Sequence, residues 1–288
     1  MRLYTTDHGI AREDEPGVLS ILDLPEPDLG ALLWGRGLDA ASGAAVIRQV
    51  PLDEVGLRPP VERPGKVLVV GLNYASHAEE ARKLFAEMGR PDIVFPAEPN
   101  MMILAASAVT GPHSPIILPA TAPTEVDYEG ELAVVIGRDG RDLTLEEAWR
   151  HVAGLSIVDD VSARDIQLRA MQGDPVASIG VAKSFDTFKP FGPCLVTADQ
   201  FDPGVDLRIQ TRVNGDVRQD DRTGNLIHPI PTLLSYFSRF MTLRAGDVIC
   251  TGTPAGAGLF WKTFLAPGDR VEVEIEGIGV LSNPVVAA

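Results

Sequence analysis

The stretch Glu125-Val126-Asp127-Tyr128-Glu129-Gly130-Glu131-Leu132-Ala133-Val134-Val135-Ile136-Gly137 decides the fold. An acidic alternating half followed by a branched apolar run predicts a β-strand that opens onto a cavity and is then buried on both faces. Strand alternation predicts that Asp127, Glu129 and Glu131 share one face. Carboxylates that point inward together need protons, water or a cation. We interpret them as half of a metal site, with an exposed strand edge as the alternative.

A second short apolar strand, Gly154 to Val158, ends on Asp159 and Asp160. The sequence then predicts a helix from Ser162 to Met171. A further carboxylate therefore lies at a strand-to-helix junction, where functional sites are commonly built. This second acidic junction favours the metal-site interpretation over the exposed edge.

Composition excludes two classes of partner. The chain has 288 residues, 45% of them hydrophobic, and a formal net charge of -15. It can bury a full core, and it has no basic cluster that would bind nucleic acid. No run approaches the roughly 20 apolar residues of a membrane span, and we find no targeting segment. With only Cys194 and Cys250, far apart, we expect a cytoplasmic protein without disulfides.

The chain divides into two predicted domains. Residues 1–62 are expected to form a small N-terminal accessory domain, and residues 63–288 the main domain, with a Pro-rich linker near the boundary. The last third is strongly β, and Asn214-Gly215 is typical of a type I′ hairpin turn. Thr144 and Glu147 fit a capping box that begins a helix at Leu145. The fold class is therefore mainly β with short helices.

His77 and Glu80 are the first candidate catalytic pair. Ser76 and Glu79 fit a capping box, so we predict a helix from His77 to about Met88. His77 and Glu80 then lie three residues apart on one helical face, where the carboxylate can hydrogen-bond and orient the imidazole. One interpretation is a general-base pair, and the other is a surface histidine beside an acid.

Two further features have competing interpretations. Lys183 stands among apolar neighbours, so it either extends to the surface or is held in a site as a fixed charge. Gly252, Gly256 and Gly258 are reminiscent of a nucleotide-binding loop, but the next segment leads to another strand instead of completing a βαβ unit. The sequence therefore does not support a nucleotide site there, and an NAD-binding enzyme is a remote alternative.

Six separated motifs, taken together and in order, resemble the fumarylacetoacetate hydrolase family over about residues 64 to 284. The motifs are Gly71-Leu72-Asn73-Tyr74 with His77 and Glu80, Val126 to Leu132, Asp160 to Asp165, Lys183 to Asp186, Val213-Asn214-Gly215, and Thr251 to Pro254. The resemblance implies a mixed β-sandwich roll, a homodimer and a divalent metal held by acids.

The resemblance also implies roles for individual residues. The implied metal ligands are Glu129, Glu131 and Asp160; the implied catalytic residues are His77, Glu80 and Lys183; the implied substrate contacts are Gln167, Thr253 and Arg164. Arg164 either touches substrate or steadies the acids, and the sequence leaves both open. An all-carboxylate ligand set suits Mg²⁺ or Mn²⁺.

The expected activity is metal-dependent hydrolysis of a carbon-carbon bond in a 2-oxo acid, such as an acylpyruvate or a fumarylpyruvate-like substrate, through a metal-bound enolate. His77 would deprotonate the attacking water, and Lys183 would stabilise the developing charge or protonate carbon. Decarboxylation or isomerisation of a 2-oxo diacid on the same site is the alternative. A catalytically silent, metal-stabilised binding protein is the alternative from another class.

Three departures from the family pattern bear on the substrate. Leu104 stands where many relatives carry a lysine, the lid from Ala81 to Pro99 is longer than usual, and Asp159 replaces a usual asparagine. With one positive charge fewer, the site is expected to prefer a less anionic or more apolar distal group than a dicarboxylate.

Overall fold

The computed structural model describes residues 1–92, 94–95 and 97–288. Its helices are α1 (Leu29–Trp34), α2 (Asp39–Gly43), α3 (Ala75–Glu87), α4 (Leu145–Ala148), α5 (Arg164–Met171), α6 (Ile179–Ala182), α7 (Ile230–Ser238) and α8 (Gly258–Trp261). Single 3-10 turns cover Leu52–Glu54, Ala106–Ala108, Trp149–His151, Ala198–Gln200 and Thr223–Asn225.

The strands of the described chain outweigh these helices, which confirms the expected mainly β class. They are β1 (Arg2–Thr6), β2 (Gly9–Glu15), β3 (Val18–Leu22), β4 (Val46–Pro51), β5 (Leu57–Arg58), β6 (Val67–Gly71), β7 (Asn100–Leu104), β8 (Val109–Thr110), β9 (Ile116–Leu118), β10 (Val126–Asp127), β11 (Gly130–Ile136), β12 (Val152–Asp159), β13 (Ser162–Ala163), β14 (Lys189–Thr197), β15 (Arg208–Val213), β16 (Asp216–Arg222), β17 (Val248–Cys250), β18 (Arg270–Ile275) and β19 (Gly279–Ala287).

Two large sheets form the fold. A 12-stranded sheet follows the order β4-β3-β2-β1-β14-β12-β11-β17-β6-β7, with β5 paired to β1 and β8 to β14. A five-stranded sheet follows the order β16-β15-β18-β19-β9, and β10 with β13 forms a short separate pair. Since β1 pairs with β14, the sheet continues from the N-terminal strands into the rest of the chain. The domain boundary at residue 62 stays a prediction.

The central strand β11 is buried along its whole length, as its apolar run predicts. Leu132 and Val134 belong to the core that the five-stranded sheet also lines, through residues such as Val273. Ala133 and Val135 belong to a second core shared with the N-terminal segment. Because side chains alternate along a strand, β11 packs into two cores at once.

Three local predictions were partly wrong. Helix α3 begins at Ala75, so Ser76 lies inside its first turn and donates to Asp221 instead of capping the helix. Helix α5 begins at Arg164, because Ser162 and Ala163 pair with β10 as strand β13. The acidic strand is interrupted: Tyr128 and Glu129 lie between β10 and β11.

Two local predictions were right. Thr144 and Glu147 form both hydrogen bonds of a capping box, although α4 ends at Ala148 and gives way to a 3-10 turn. Asn214 and Gly215 both have positive φ, 55° and 86°, as a type I′ turn requires.

Candidate active site

One cavity of about 160 Å³ collects most of the residues that the sequence singled out. Eight of the nine candidates line it: His77, Glu129, Glu131, Asp160, Arg164, Gln167, Lys183 and Thr253. Glu80, the ninth, lies behind His77. Residues more than a hundred positions apart in the sequence thus share one small volume.

Three carboxylates form the floor of this cavity. Glu129 precedes β11, Glu131 lies within it, and Asp160 directly follows β12. The antiparallel register of β11 and β12 pairs Gly130 with Asp159, which brings the three acids together. One oxygen from each lies within 4.8 Å of the others, and all three side chains are buried. The backbone amide of Gly252 donates to Glu131 at 2.8 Å.

Lys183 is held in the site and does not extend to the surface. Its ammonium donates to Glu129 Oε2 at 2.6 Å and to Asp160 Oδ2 at 2.5 Å, and the residue is 3% exposed. It follows the short helix α6, which places its side chain toward the acids. The structure therefore favours the fixed-charge interpretation.

Lys189 is a second buried lysine that the sequence reasoning missed. Its ammonium lies 2.7 Å from Asp160 Oδ1. The ammonium donates its three protons to the backbone carbonyls of Val161, Lys183 and Phe188. Its contact with Asp160 is therefore an ion pair and not a hydrogen bond. The available signal was its place in an apolar segment, beside Phe188 at the start of β14. Asp160 is therefore flanked by two ammonium groups.

Arg164 donates hydrogen bonds from all three of its side-chain nitrogens, two of them to acids. Nε donates to Asp127 at 2.7 Å, Nη2 to Glu129 at 2.5 Å and Nη1 to the side-chain oxygen of Gln167 at 2.6 Å. Of the two roles left open by the sequence, the described contacts are those of a residue that steadies the acidic cluster. Its contact with substrate stays a prediction, as does that of Gln167.

The charges around the two floor glutamates shift their pKa values in opposite directions. Burial would raise the pKa of Glu129, but the charges of Arg164 and Lys183 outweigh it and hold that pKa well below its usual range. Burial raises the pKa of Glu131 well above its usual range, and the nearby Asp160 and Glu129 raise it further. Burial would lower the pKa of Lys183, but the same acids outweigh it and raise it.

Asp159 is a fourth acid beside the floor. Its Oδ1 accepts the backbone amide of Glu129 at 2.8 Å, whereas its buried Oδ2 has no hydrogen-bond partner among the described residues. Burial is the main cause that raises the pKa of Asp159 to about 7. An asparagine at this position would carry no such charge.

His77 forms the opposite wall. Nδ1 lies 3.5 Å from Glu80 Oε2 without forming a hydrogen bond, so the predicted spacing is right but the predicted hydrogen bond is not made. Glu80 instead accepts the backbone amide of Gly256 at 3.1 Å. The ring of Phe260 packs edge-on to the imidazole with centroids 5.5 Å apart. The imidazole thus lies between Glu80 and Phe260, with Nδ1 on the side of Glu80.

The hydroxyl of Thr253 hydrogen-bonds to neighbouring residues as both donor and acceptor. Its hydroxyl donates to the carbonyl of Gly130 at 2.9 Å and accepts from Gln219 Nε2 at 2.7 Å. Gln219 also accepts the Gly130 amide through Oε1 at 3.0 Å, which fixes its amide orientation. Sequence reasoning missed Gln219, since one polar residue on an alternating strand gives no signal.

The remaining wall is apolar. Leu84, Phe85, Met102, Met171 and Ile179 line the cavity away from the acids. Leu104 is buried in β7 and is not among the lining residues. Of the lid from Ala81 to Pro99, residues 93 and 96 lie outside the described residues. The expectation of an apolar distal group stays a prediction.

The donor set fits a divalent cation. Five buried carboxyl groups lie in or beside the floor, and three buried basic side chains lie among them, which leaves two net negative charges when all are charged. The eight residues are Asp127, Glu129, Glu131, Asp159, Asp160, Arg164, Lys183 and Lys189. All candidate ligand atoms are carboxylate oxygens, the type that Mg²⁺ and Mn²⁺ prefer. Glu129, Glu131 and Asp160 are the residues that would hold such an ion.

The family model of the fumarylacetoacetate hydrolase C-terminal region matches residues 66–286. The chain belongs to the fumarylacetoacetate hydrolase family. It is 43% identical over 268 residues to the mitochondrial oxaloacetate tautomerase FAHD2A of Bos taurus, covering 91% of this chain and 81% of that protein. The family assignment and fold predicted from the sequence are thereby confirmed.

Two solved structures resemble the whole chain. A 5-carboxymethyl-2-hydroxymuconate delta-isomerase from Mycobacterium smegmatis is 36% identical, with a TM-score of 0.76 and full coverage of both chains. Maleylpyruvate hydrolase from Sphingobium sp. SYK-6, solved with manganese(II) and pyruvate, is 28% identical, with a TM-score of 0.77 and full coverage of both chains. The relatives are thus named for tautomerase, isomerase and hydrolase activities. No helix in the described part of the chain is long and apolar enough to cross a membrane.

Proposed function

We propose that this member of the fumarylacetoacetate hydrolase family is an enzyme that moves a proton at the carbon next to the keto group of a small 2-oxo acid, interconverting its keto and enol forms. The observation that carries the proposal is the position of His77. Its imidazole is buried beside Glu80 and shares one cavity with an acidic cluster suited to a divalent cation. A base opposite a cation site is the arrangement that enolisation requires.

The chain's own residues account for the proton transfer. His77 Nε2, the ring nitrogen away from Glu80, removes the proton from carbon 3, the carbon beside the keto group, and the imidazolium then returns a proton to the enol oxygen, so that His77 is regenerated and no atom is lost or gained. Glu80 lies against Nδ1 and stabilises the positive charge that the imidazole acquires. A bound divalent cation would polarise the keto oxygen and favour negative charge there. Lys183 adds positive charge beside Glu129 and Asp160.

The 43% identity to an oxaloacetate tautomerase supports this reaction over others. The apolar wall of Met102, Met171 and Ile179 does not restrict the substrate to oxaloacetate. We therefore expect faster turnover of a 2-oxo acid with an apolar distal group, such as acetylpyruvate. Equal or better turnover of oxaloacetate would contradict this expectation about the wall, but not the proton transfer.

Hydrolysis of a carbon-carbon bond is the second candidate, and the similarity to maleylpyruvate hydrolase favours it. In that case His77 would take its proton from water, the hydroxide would attack the distal carbonyl, and the enol of pyruvate would leave. Decarboxylation of oxaloacetate would use the same charge arrangement. A homodimer, a cytoplasmic location and the choice between Mg²⁺ and Mn²⁺ stay predictions.

One experiment separates these reactions. The enol absorbance of oxaloacetate and of acetylpyruvate is followed with Mn²⁺ or Mg²⁺ and again after chelation, while lactate dehydrogenase and NADH report pyruvate. A tautomerase speeds the approach to the uncatalysed keto-enol ratio and yields no pyruvate beyond that of an enzyme-free control with the same metal. Pyruvate from acetylpyruvate above that control identifies a hydrolase, and pyruvate from oxaloacetate above that control identifies a decarboxylase, because divalent ions alone decarboxylate oxaloacetate. Absence of any effect on either substrate would refute the proposed proton transfer and favour a silent binding protein.

Matched variants test the base. His77→Ala should lower the rate by about 10²- to 10⁴-fold, the usual contribution of a general base. Glu80→Gln should lower it less, because the imidazole remains. Glu79→Gln, an exposed neighbour on the same helix, and His113→Ala, an exposed histidine, are the controls. A His77→Ala protein with an unchanged rate would show that the base is misassigned.

A further inference from the structure

Asp127 stands first among the acids of the interrupted strand, yet its contacts differ from those of Glu129 and Glu131. It is fully buried, and one oxygen from each of the three floor acids can gather without it. Oδ1 accepts the backbone amides of Tyr128 and Gly258 at 2.8 and 2.7 Å. Oδ2 accepts Nε of Arg164 at 2.7 Å and the amide of Leu259 at 2.9 Å.

Four hydrogen bonds use the whole accepting capacity of one carboxylate. Asp127 therefore has no free lone pair for a metal ion in this arrangement. The expectation that it forms part of the metal site is wrong for a physical reason: the strand breaks after Asp127, which turns its side chain toward Arg164 and the start of α8.

Helix α8 forms the wall that holds the imidazole. Leu259 and Phe260 line the cavity, and the ring of Phe260 packs edge-on against His77. The two amides that Asp127 accepts from α8 belong to its first two residues. Asp127 thus contacts Arg164, which binds the acidic floor, and also α8, which packs against His77.

Gly258 is matched to this contact. A Cβ atom built there would lie 2.6 Å from Asp127 Oδ1 and 2.3 Å from the carbonyl oxygen of Thr263. Any larger residue would push the carboxylate or the start of α8 away. The close approach of carboxylate and backbone thus depends on glycine.

We propose that Asp127 is a positioning residue, not a metal ligand: its two oxygens hold the amides of Gly258 and Leu259 at the start of α8, which places Phe260 against His77, and Oδ2 also holds Arg164 on the acidic floor. The inference rests on the proposed function only through the role of His77, and it does not depend on which 2-oxo acid is the substrate.

Asp127→Asn is the main test, because it keeps the volume and replaces one acceptor by a donor. Whichever way the new amide turns, either Gly258 or Leu259 loses its acceptor. Trp261 lies on α8 and is 58% exposed, so its fluorescence reports on this helix. The chain has three tryptophans, so the measurement is made in a Trp34→Phe, Trp149→Phe background, in which only Trp261 remains.

We expect Asp127→Asn to increase acrylamide quenching of Trp261 and to lower kcat by about 10- to 100-fold, since a displacement near 1 Å can cost about 10²-fold. KM should change by less than about threefold. The Mn²⁺ dissociation constant, measured by titration calorimetry, should rise by no more than the roughly 10- to 100-fold typical of an outer-shell change, as ligand atoms are not removed. Gly258→Ala should reproduce the quenching and kcat effects with every charge retained. Asp202→Asn, an exposed site, is the matched control.

Unchanged Trp261 quenching in Asp127→Asn would overturn the proposal. A loss of Mn²⁺ affinity beyond about 100-fold would also overturn it, because Asp127 would then act on the metal. If wild-type protein turns over none of the 2-oxo acids, the proposed function fails, while quenching and Mn²⁺ binding still decide the positioning role. If Gly258→Ala does not fold, Asp127→Asn decides alone.

Discussion

Replacing Lys183 by methionine tests the charge balance of the acidic floor. The ammonium contacts Glu129 and Asp160 at 2.6 and 2.5 Å and is almost fully buried, so Lys183→Met keeps the volume and leaves two buried carboxylates short of one positive charge. Removing one partner of a buried ion pair costs about 3–5 kcal/mol. For a 288-residue chain, an unfolding entropy of about 2.1 cal/mol/K per residue converts this into a fall in Tm of about 5–8 °C.

The assay is thermal unfolding with and without Mn²⁺. Without metal, Lys183→Met should melt about 5–8 °C below wild type. Saturating Mn²⁺ should raise the Tm of the variant more than that of wild type, because the cation replaces the lost charge and ligand binding stabilises the native state. Lys83→Met, an exposed change on α3, should have the Tm of wild type. A metal-free Tm for Lys183→Met within about 1 °C of wild type would refute the charge-balance reasoning.

Three further predictions follow from single contacts. Glu131→Gln should weaken Mn²⁺ binding by more than the 10- to 100-fold typical of an outer-shell change; calorimetric affinity equal to wild type would exclude it as a ligand. Thr144→Ala removes the observed capping box and should cost about 1 kcal/mol, with kcat unchanged because α4 is not part of the cavity wall; an unaltered unfolding midpoint would contradict the cap assignment. Burial raises the pKa of Cys194 to about 11 and that of Cys250 well above its usual range, so a disulfide reagent should titrate no thiol in the native protein and two after denaturation; rapid native labelling would show that either thiol is accessible.

Local patterns in the sequence predicted what depends on near neighbours. The spacing of His77 and Glu80, the capping box at Thr144 and the hairpin at Asn214 all rest on contacts within a few residues, and the structure contains them. The apolar run of β11 also predicted its burial on both faces. The family resemblance, carried by six motifs, supplied the fold that such patterns do not encode.

Contacts between distant segments were not predictable in the same way. Lys189 contacts Asp160 only because β14 packs beside β12, and Gln219 reaches Gly130 from the other sheet. Asp127 was misplaced because strand alternation assumes an unbroken strand, whereas Ser162 and Ala163 pair with its first residues and end it early. Tertiary pairing decided these three positions, and no local pattern records it.

Strand β14 couples the unfolding of the N-terminal strands to that of the acidic floor. Its first residue, Lys189, lies against Asp160 on the acidic floor, and near its other end Leu195 and Val196 pair with Leu3 and Arg2 of β1. Removing residues 1–62 would leave that edge of β14 with unpaired backbone groups, a template for aggregation. The N-terminal segment and the acidic floor should therefore unfold as one cooperative unit, so that loss of the first strands is also loss of the site.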